Sequence, residues 1–194
     1  LHIEAPENRS LPSILAPELR QSLLRLTRNE MAKAFAQRAL RALAGFVKSL
    51  KVKYQDIEVG IDFDPEPGLA DNGDLEHDLL ALLESAGAAA QKAETVLTIF
   101  ADEMQYVEED ELAALIMALH RTSQRRLPVI LVGAGLPQLR GRSGRAKSYA
   151  ERLFDFPTIG PLTAESAKLA ITKPARDQGV DVTPEALDRI VKET

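Results

Sequence analysis

The chain has no cysteine among its 194 residues. Disulfides and thiolate metal sites are therefore excluded, and the composition fits a reducing, cytoplasmic setting. No apolar run approaches the roughly 20 residues that span a bilayer, so no membrane partner is expected. Leu1–Pro12 carries charges and two prolines, Pro6 and Pro12, unlike a secretory leader. His2, His77 and His120 are far apart and form no His-x-x-His pattern, so they point to surface or core packing and to no metal site. Between Tyr54 and Gln91 there is no Lys or Arg, although Asp and Glu are frequent; Glu18–Lys53, by contrast, is rich in Lys and Arg. The net charge of −5 thus hides two segregated stretches, which suit each other or different partners. Sequence repeats and low-complexity segments are also missing.

What is present is apolar content sufficient for a real core: 45% of residues are hydrophobic. The length suits one domain, or one domain and the start of a second. The chain begins inside an apolar run, Leu1-His2-Ile3, and finishes inside a helical pattern, Lys192-Glu193-Thr194, so both ends are expected to be cuts.

Leu1–Ala5 reads as a short buried strand stopped by Pro6. Ser10-Leu11-Pro12 suits a helix start, since Ser caps and Pro tolerates the first turn. Ile14, Leu15, Leu19, Leu23, Leu24 and Leu26 recur at helical spacing, as do Met31, Phe35, Ala39, Leu43, Phe46 and Leu50, predicting a long helical hairpin. Lys51–Asp64 nearly alternates (Val52, Tyr54, Ile57, Val59, Ile61, Phe63) and predicts a small β-hairpin. Pro65–Gly68 and Asn72-Gly73 mark an exposed loop. Leu75 to about Lys92 is predicted helical.

Thr95–Ala101 is a mostly apolar run that stops at Asp102-Glu103. A helix over Glu109–Arg125 follows, its acidic start favoured by the helix dipole. Pro128–Val132 is a second apolar run, stopping at Gly133-Ala134-Gly135, and Leu153–Pro157 suggests a third short strand. Strands buried on both faces with helices between them predict a parallel sheet in an α/β layer fold. Thr163–Asp177, kinked or ended at Pro174, and Thr183–Lys192 read as two more helices.

A buried parallel strand delivers its last residues to the carboxyl edge of the sheet, where ligands of open α/β sheets sit. Two adjacent carboxylates there, Asp102 and Glu103, can divide labour. One can hold Mg²⁺, usually through water, and the other can orient a water for attack on a phosphoryl group. The plainer alternative is that they merely leave the core and begin a polar loop.

Leu97–Tyr106, LTIFADEMQY, resembles the Walker B motif of AAA+ ATPases, in particular the archaeal and bacterial group related to origin-recognition and signal-transduction ATPases. Pro128–Leu139 resembles the sensor 1 strand of that group, Tyr149–Leu162 the segment after it, and Leu162–Thr194 the start of a helical lid. The resemblance implies an α/β, three-layer P-loop NTPase core in truncated form. Residues 1–160 would be an incomplete nucleotide-binding core, with 7–92 a family-variable segment of helices and hairpin, and 161–194 would begin the lid. It also implies ATP and Mg²⁺ as cofactors of the parent protein. Asp102 would bind Mg²⁺, Glu103 would polarise the attacking water, and Arg152 would contact the γ-phosphate from its own or a neighbouring subunit. For Arg152 an ion pair with Glu151, Asp155 or another carboxylate is the competing reading. Sensor 1 is usually Ser, Thr or Asn, whereas Gly133 or Ala134 stands here with no side-chain donor.

A glycine-rich phosphate loop is not found. In the family it precedes the strand placed at Leu1–Ala5. Gly141–Ser148 nearly fits G-x-x-x-x-G-K-S but has Ala146 at the second Gly and follows the acidic strand, so it reads as a flexible basic loop with an anion or nucleic-acid contact as the sharper option. The fragment is therefore expected to bind nucleotide poorly and, with the strand edges left bare, either to close the gap with its own last strand or to self-associate by pairing with another copy. A non-catalytic assembly module on an ATPase-like scaffold is the alternative function. The basic residues Arg20, Arg25, Arg28, Lys33, Arg38, Arg41, Lys48, Lys51 and Lys53 suit a solvated helix face or a nucleic-acid-binding arm, without the interleaved aromatics that would favour the arm. Asp62-x-Asp64-x-Glu66 is a weak divalent-ion pattern.

Overall fold

The structure, a computed structural model, describes residues 1–57, 60 and 63–193. It divides into two bodies, Leu1–Phe156 and Pro157–Thr194.

In the first body, β1 (His2–Glu4), β2 (Leu97–Asp102) and β3 (Val129–Gly133) form a parallel sheet in the order β1-β2-β3. Ile3 pairs with Ala101, and Ile99 with Leu131. The chain steps across this sheet in a single direction. Right-handed crossovers then place every connecting helix on the same face. That face receives α1 (Leu11–Leu26), α3 (Leu75–Lys92) and α4 (Glu109–Gln124), which pack on β1, β2 and β3. Ile3, Leu97, Ile99 and Ala101 are buried beneath them. On the opposite face Phe100 is 47%, Ile130 51% and Val132 49% exposed. Of the three layers expected, two are therefore present in this body. Continuous apolar strands read as buried on both faces, but the crossover geometry covers only one.

Helix α2 (Lys33–Leu50) packs on α1 and α3, completing the predicted hairpin. Leu15, Leu19, Leu40, Leu43, Phe46, Leu79, Leu82 and Leu83 are fully buried between these helices. Three carboxylates organise the helix ends. Asp74 caps α3 by accepting the N–H of His77 at 2.9 Å. Asp56 grips the start of α1, accepting the backbone N–H and the hydroxyl of Ser10, both at 2.8 Å. Burial opposes the Asp56 charge, but the donors of Ser10 and Ser13 outweigh it and hold the carboxyl below its ordinary value. Asp78 is fully buried and accepts from Ser49 Oγ, Asn72 N and Gly73 N at 2.9, 3.0 and 2.9 Å, fastening the entry to α3 onto the end of α2.

Three expectations change. The β-hairpin over Lys51–Asp64 leaned on Val59 and Ile61, which lie outside the described residues; Lys51–Lys53 and Gln55-Asp56 form turns. Leu153–Pro157 is not a strand. Helix α6 (Ala150–Leu153) ends there, the N–H of Phe154 bonds back to Ala150 O at 3.0 Å, and Phe154 meets Phe156 edge-on. Gly141–Ser148 is not a flexible loop, because Gln138–Ala146 forms helix α5. Leu139, Ser143 and Ala146, spaced four and three apart, turn inward, and α5 packs on α4.

The second body is a pair of packed helices, α7 (Ala164–Asp177) and α8 (Pro184–Glu193). Thr163 caps α7, which runs through Pro174 rather than ending there. Gly179, at φ +73°, supplies the left-handed residue that closes α7. No described residue of either helix is buried.

Candidate functional site at the carboxyl edge of the sheet

Asp102 ends the central strand, paired with Glu4 on β1 and exposed at the carboxyl edge. Its backbone carbonyl accepts the N–H of Ala5 at 3.0 Å. Its Oδ1 accepts the N–H of Glu103 at 2.8 Å, and Oδ2 has no partner among the described residues. Glu103 is in the left-handed region, at φ 56° and ψ 33°. That conformation costs a non-glycine residue about 1–2 kcal/mol, and it turns the chain sharply out of the strand into a 3₁₀ turn at Met104–Tyr106.

The loop after β3 is stitched to this turn. Ala134 N donates to Ala101 O at 2.8 Å, and Met104 N donates to Ala134 O at 3.0 Å. Gln105 spans both loops: its Nε2 donates to Glu103 Oε2, and its Oε1 accepts the N–H of Leu136 at 3.1 Å. Arg142, from α5, donates to Gln105 O and, at 2.6 Å, to Val107 O. Two glycines permit this closeness. A Cβ at Gly133 would lie 2.5 Å from Met104 Sδ, and one at Gly135 would lie 2.9 Å from Gln105 Oε1. Of the two positions compared with a polar sensor, Gly133 and Ala134, the first has no room for a side chain beside Met104.

The donor set suits a hard cation. It offers carboxylate oxygen only, one oxygen of Asp102 is free, and the group is exposed. No cluster of three or more metal-ligating side chains exists among the described residues. A single carboxylate with room for water matches Mg²⁺, which keeps several waters, better than Ca²⁺, which takes six to eight oxygens.

Arg152 lies exposed in α6, and no hydrogen bond or ion pair joins it to Asp102 or Glu103 among the described residues. Nor does it pair with Glu151 or Asp155; Glu151 instead lies 3.9 Å from Arg140. Asp102 and Glu103 are brought together, and Arg152 is not joined to them. Arg38 and Arg41 approach Glu66 at 3.2 and 3.9 Å, so here the basic helix and the acidic loop face each other. Asp62, the first residue of the divalent-ion pattern, lies outside the described residues. His77 and His120 line a cleft of about 430 Å³ with Leu80, Met117 and Tyr149, and the His120 ring lies tilted at 39° to that of Tyr149, centroids 4.7 Å apart.

Sequence reasoning missed Gln105, Arg142 and Glu111. Glu111 is 2% exposed, and its Oε2 accepts the N–H of Leu11 at 3.1 Å. Burial pushes its carboxyl up to about 7, although the donors of Leu11 and Glu108 pull the other way. The available signal was position: Glu111 precedes Leu115 by four and Leu119 by eight, on the apolar stripe of α4. Compared with protein-family models, curated proteins and solved structures, the chain finds no match in any of the three.

Proposed function

We propose that residues 1–156 form the metal-and-water half of a magnesium-dependent, AAA+-type ATP-hydrolysing core. One observation carries the reading: two adjacent carboxylates leave the central strand of a parallel sheet at its carboxyl edge, Asp102 exposed and Glu103 half-buried against Gln105. In this reading Asp102 holds Mg²⁺ through water, and Glu103 polarises the water that attacks the γ-phosphate. The guanidinium of Arg152, exposed and without an ion-pair partner among the described residues, is available to that phosphate from its own or a neighbouring subunit. Among the described residues no glycine-rich cradle is formed, since Gly141–Ala146 of the near-match Gly141–Ser148 lies within α5. ATP binding by these residues alone is accordingly weak.

Mn²⁺ is the probe of choice, because it occupies Mg²⁺ sites and broadens nearby NMR signals. The expected result is selective broadening of the Asp102, Glu103 and Ala134 amides, lost in Asp102→Asn. Broadening elsewhere, or none at millimolar Mn²⁺, would remove the metal site and the reading with it. In a protein that also supplies a phosphate loop, Glu103→Gln is expected to abolish phosphate release while leaving ATP bound.

A second reading, an assembly module on an ATPase-like scaffold, is favoured by the bare apolar face at Phe100, Ile130 and Val132 and by the absence of a side-chain donor at Gly133 and Ala134. Its partner is a second copy of the chain. For nucleic acid the case is weaker, because Arg38 and Arg41 of the basic helix are already drawn to Glu66.

A further inference from the structure

Gln105 is only 8% exposed, yet it commits both ends of its carboxamide to the site. Which end faces which partner is fixed by chemistry. A backbone N–H must meet Oε1, and a carboxylate must accept from Nε2. The Leu136 N–H and the Glu103 carboxylate are those two partners, so one side chain joins the loop after β3 to the carboxylate after β2. Its backbone is held in turn by Arg142. Glycine at 135 leaves the space that the carboxamide fills.

From this arrangement we infer that Gln105 is a positioning residue for Glu103. It holds the carboxylate in one orientation and couples that orientation to the Ala134–Leu136 loop. The assignment of a chemical task to Glu103 rests on the reading above. The coupling itself does not. With no side-chain donor at Gly133 or Ala134, the link from the end of β3 to the water-polarising group runs through a backbone N–H and a borrowed carboxamide. Anything that draws Glu103 away from Gln105 also loosens the Leu136 N–H.

The test is amide hydrogen exchange by NMR on the 194-residue chain, with neither metal nor nucleotide present. Glu103→Ala is expected to speed exchange at Leu136 by about threefold or more while leaving Leu115 and Leu119, in the core of α4, unchanged. In a Gln105→Met background, where length is kept and both polar atoms are removed, Glu103→Ala should have no further effect. Leu136 exchange that ignores Glu103 in the presence of Gln105 would overturn the inference. Should Gln105→Met lose protection in α4, Gly135→Ala decides instead. Its methyl displaces the carboxamide and should by itself speed exchange at Leu136; unchanged exchange would again overturn the coupling. Failure of the hydrolytic reading is seen separately, in the Mn²⁺ experiment.

Discussion

Glu111, in the first turn of α4, accepts the backbone N–H of Leu11, the first residue of α1, which is one hundred positions earlier in the chain. The bond satisfies a donor that the start of a helix would otherwise leave unpaired. It also keeps a carboxylate inside the core, and burial raises its pKa to about 7 from an ordinary 4.5. The folded state therefore holds a proton that the unfolded chain has already released, so ν is larger in the native state and stability falls as pH rises between 4.5 and 7. At 1.36 kcal/mol per pH unit the full loss is about 3 kcal/mol, an upper figure because part of the site relaxes on ionisation. Glu111→Gln keeps an acceptor for Leu11 and has no charge to bury. It is expected to be more stable than the parent at pH 8, to differ little at pH 4.5, and to flatten the slope between. Urea unfolding at those two pH values checks this; an equal slope in both proteins would refute it.

Gly45 sits inside α2, where Ala would ordinarily stabilise a helix by roughly 0.5–1 kcal/mol. Here a Cβ would lie 2.7 Å from the backbone carbonyl oxygen of Leu69 and 3.3 Å from that of Ala70. Backbone cannot swing aside as a side-chain tip can. Gly45→Ala is expected to destabilise by about 1–3 kcal/mol, against its helix propensity. A midpoint shift to higher urea would show that the Leu69–Ala70 segment yields instead.

Glu103 offers a cleaner separation of backbone from side chain. Glu103→Ala and Glu103→Gly both delete the carboxylate, but only glycine is at ease at φ 56°. The glycine variant is expected to be more stable than the alanine variant by about 1 kcal/mol. Equal stabilities would mean that the turn relaxes once the Gln105 contact is gone.

Much of this arrangement was legible. The run Thr95–Ala101 ending in Asp102-Glu103 has the signature of a buried parallel strand, and it is the central one. Helix α3 runs over the predicted residues because Asp74 stands ready to cap it. Other features were hidden for physical reasons. Helix α5 holds two glycines and three arginines, with Lys147 just after it, and these mask the short inward row of Leu139, Ser143 and Ala146. Glu111 resembles any acid in a first helical turn until α1 is placed over it. Gln105 gains its partners only when the two loops meet at the sheet edge. The bare face could not be read at all, since Phe100, Ile130 and Val132 are as apolar as their buried neighbours, and only strand order decides which side the helices take.

That bare face leads to the remaining prediction. Phe100 pairs in register with Val132, and Thr98 with Ile130, so the three half-exposed apolar side chains lie on neighbouring strands of one face. Parallel sheets are ordinarily covered on both faces, and contiguous exposed apolar surface marks a place where something binds. The chain is expected to self-associate through it, giving a light-scattering mass that rises with concentration above the 21.2 kDa of one copy. Phe100→Ser combined with Val132→Thr removes apolar area while keeping a β-branched residue in β3. Because both side chains are already half in water, the double variant should lose little folding stability and yet stay near one copy across the same concentrations. A parent that remains monomeric throughout, or a double variant that associates as the parent does, would show that this face does not join copies of the chain.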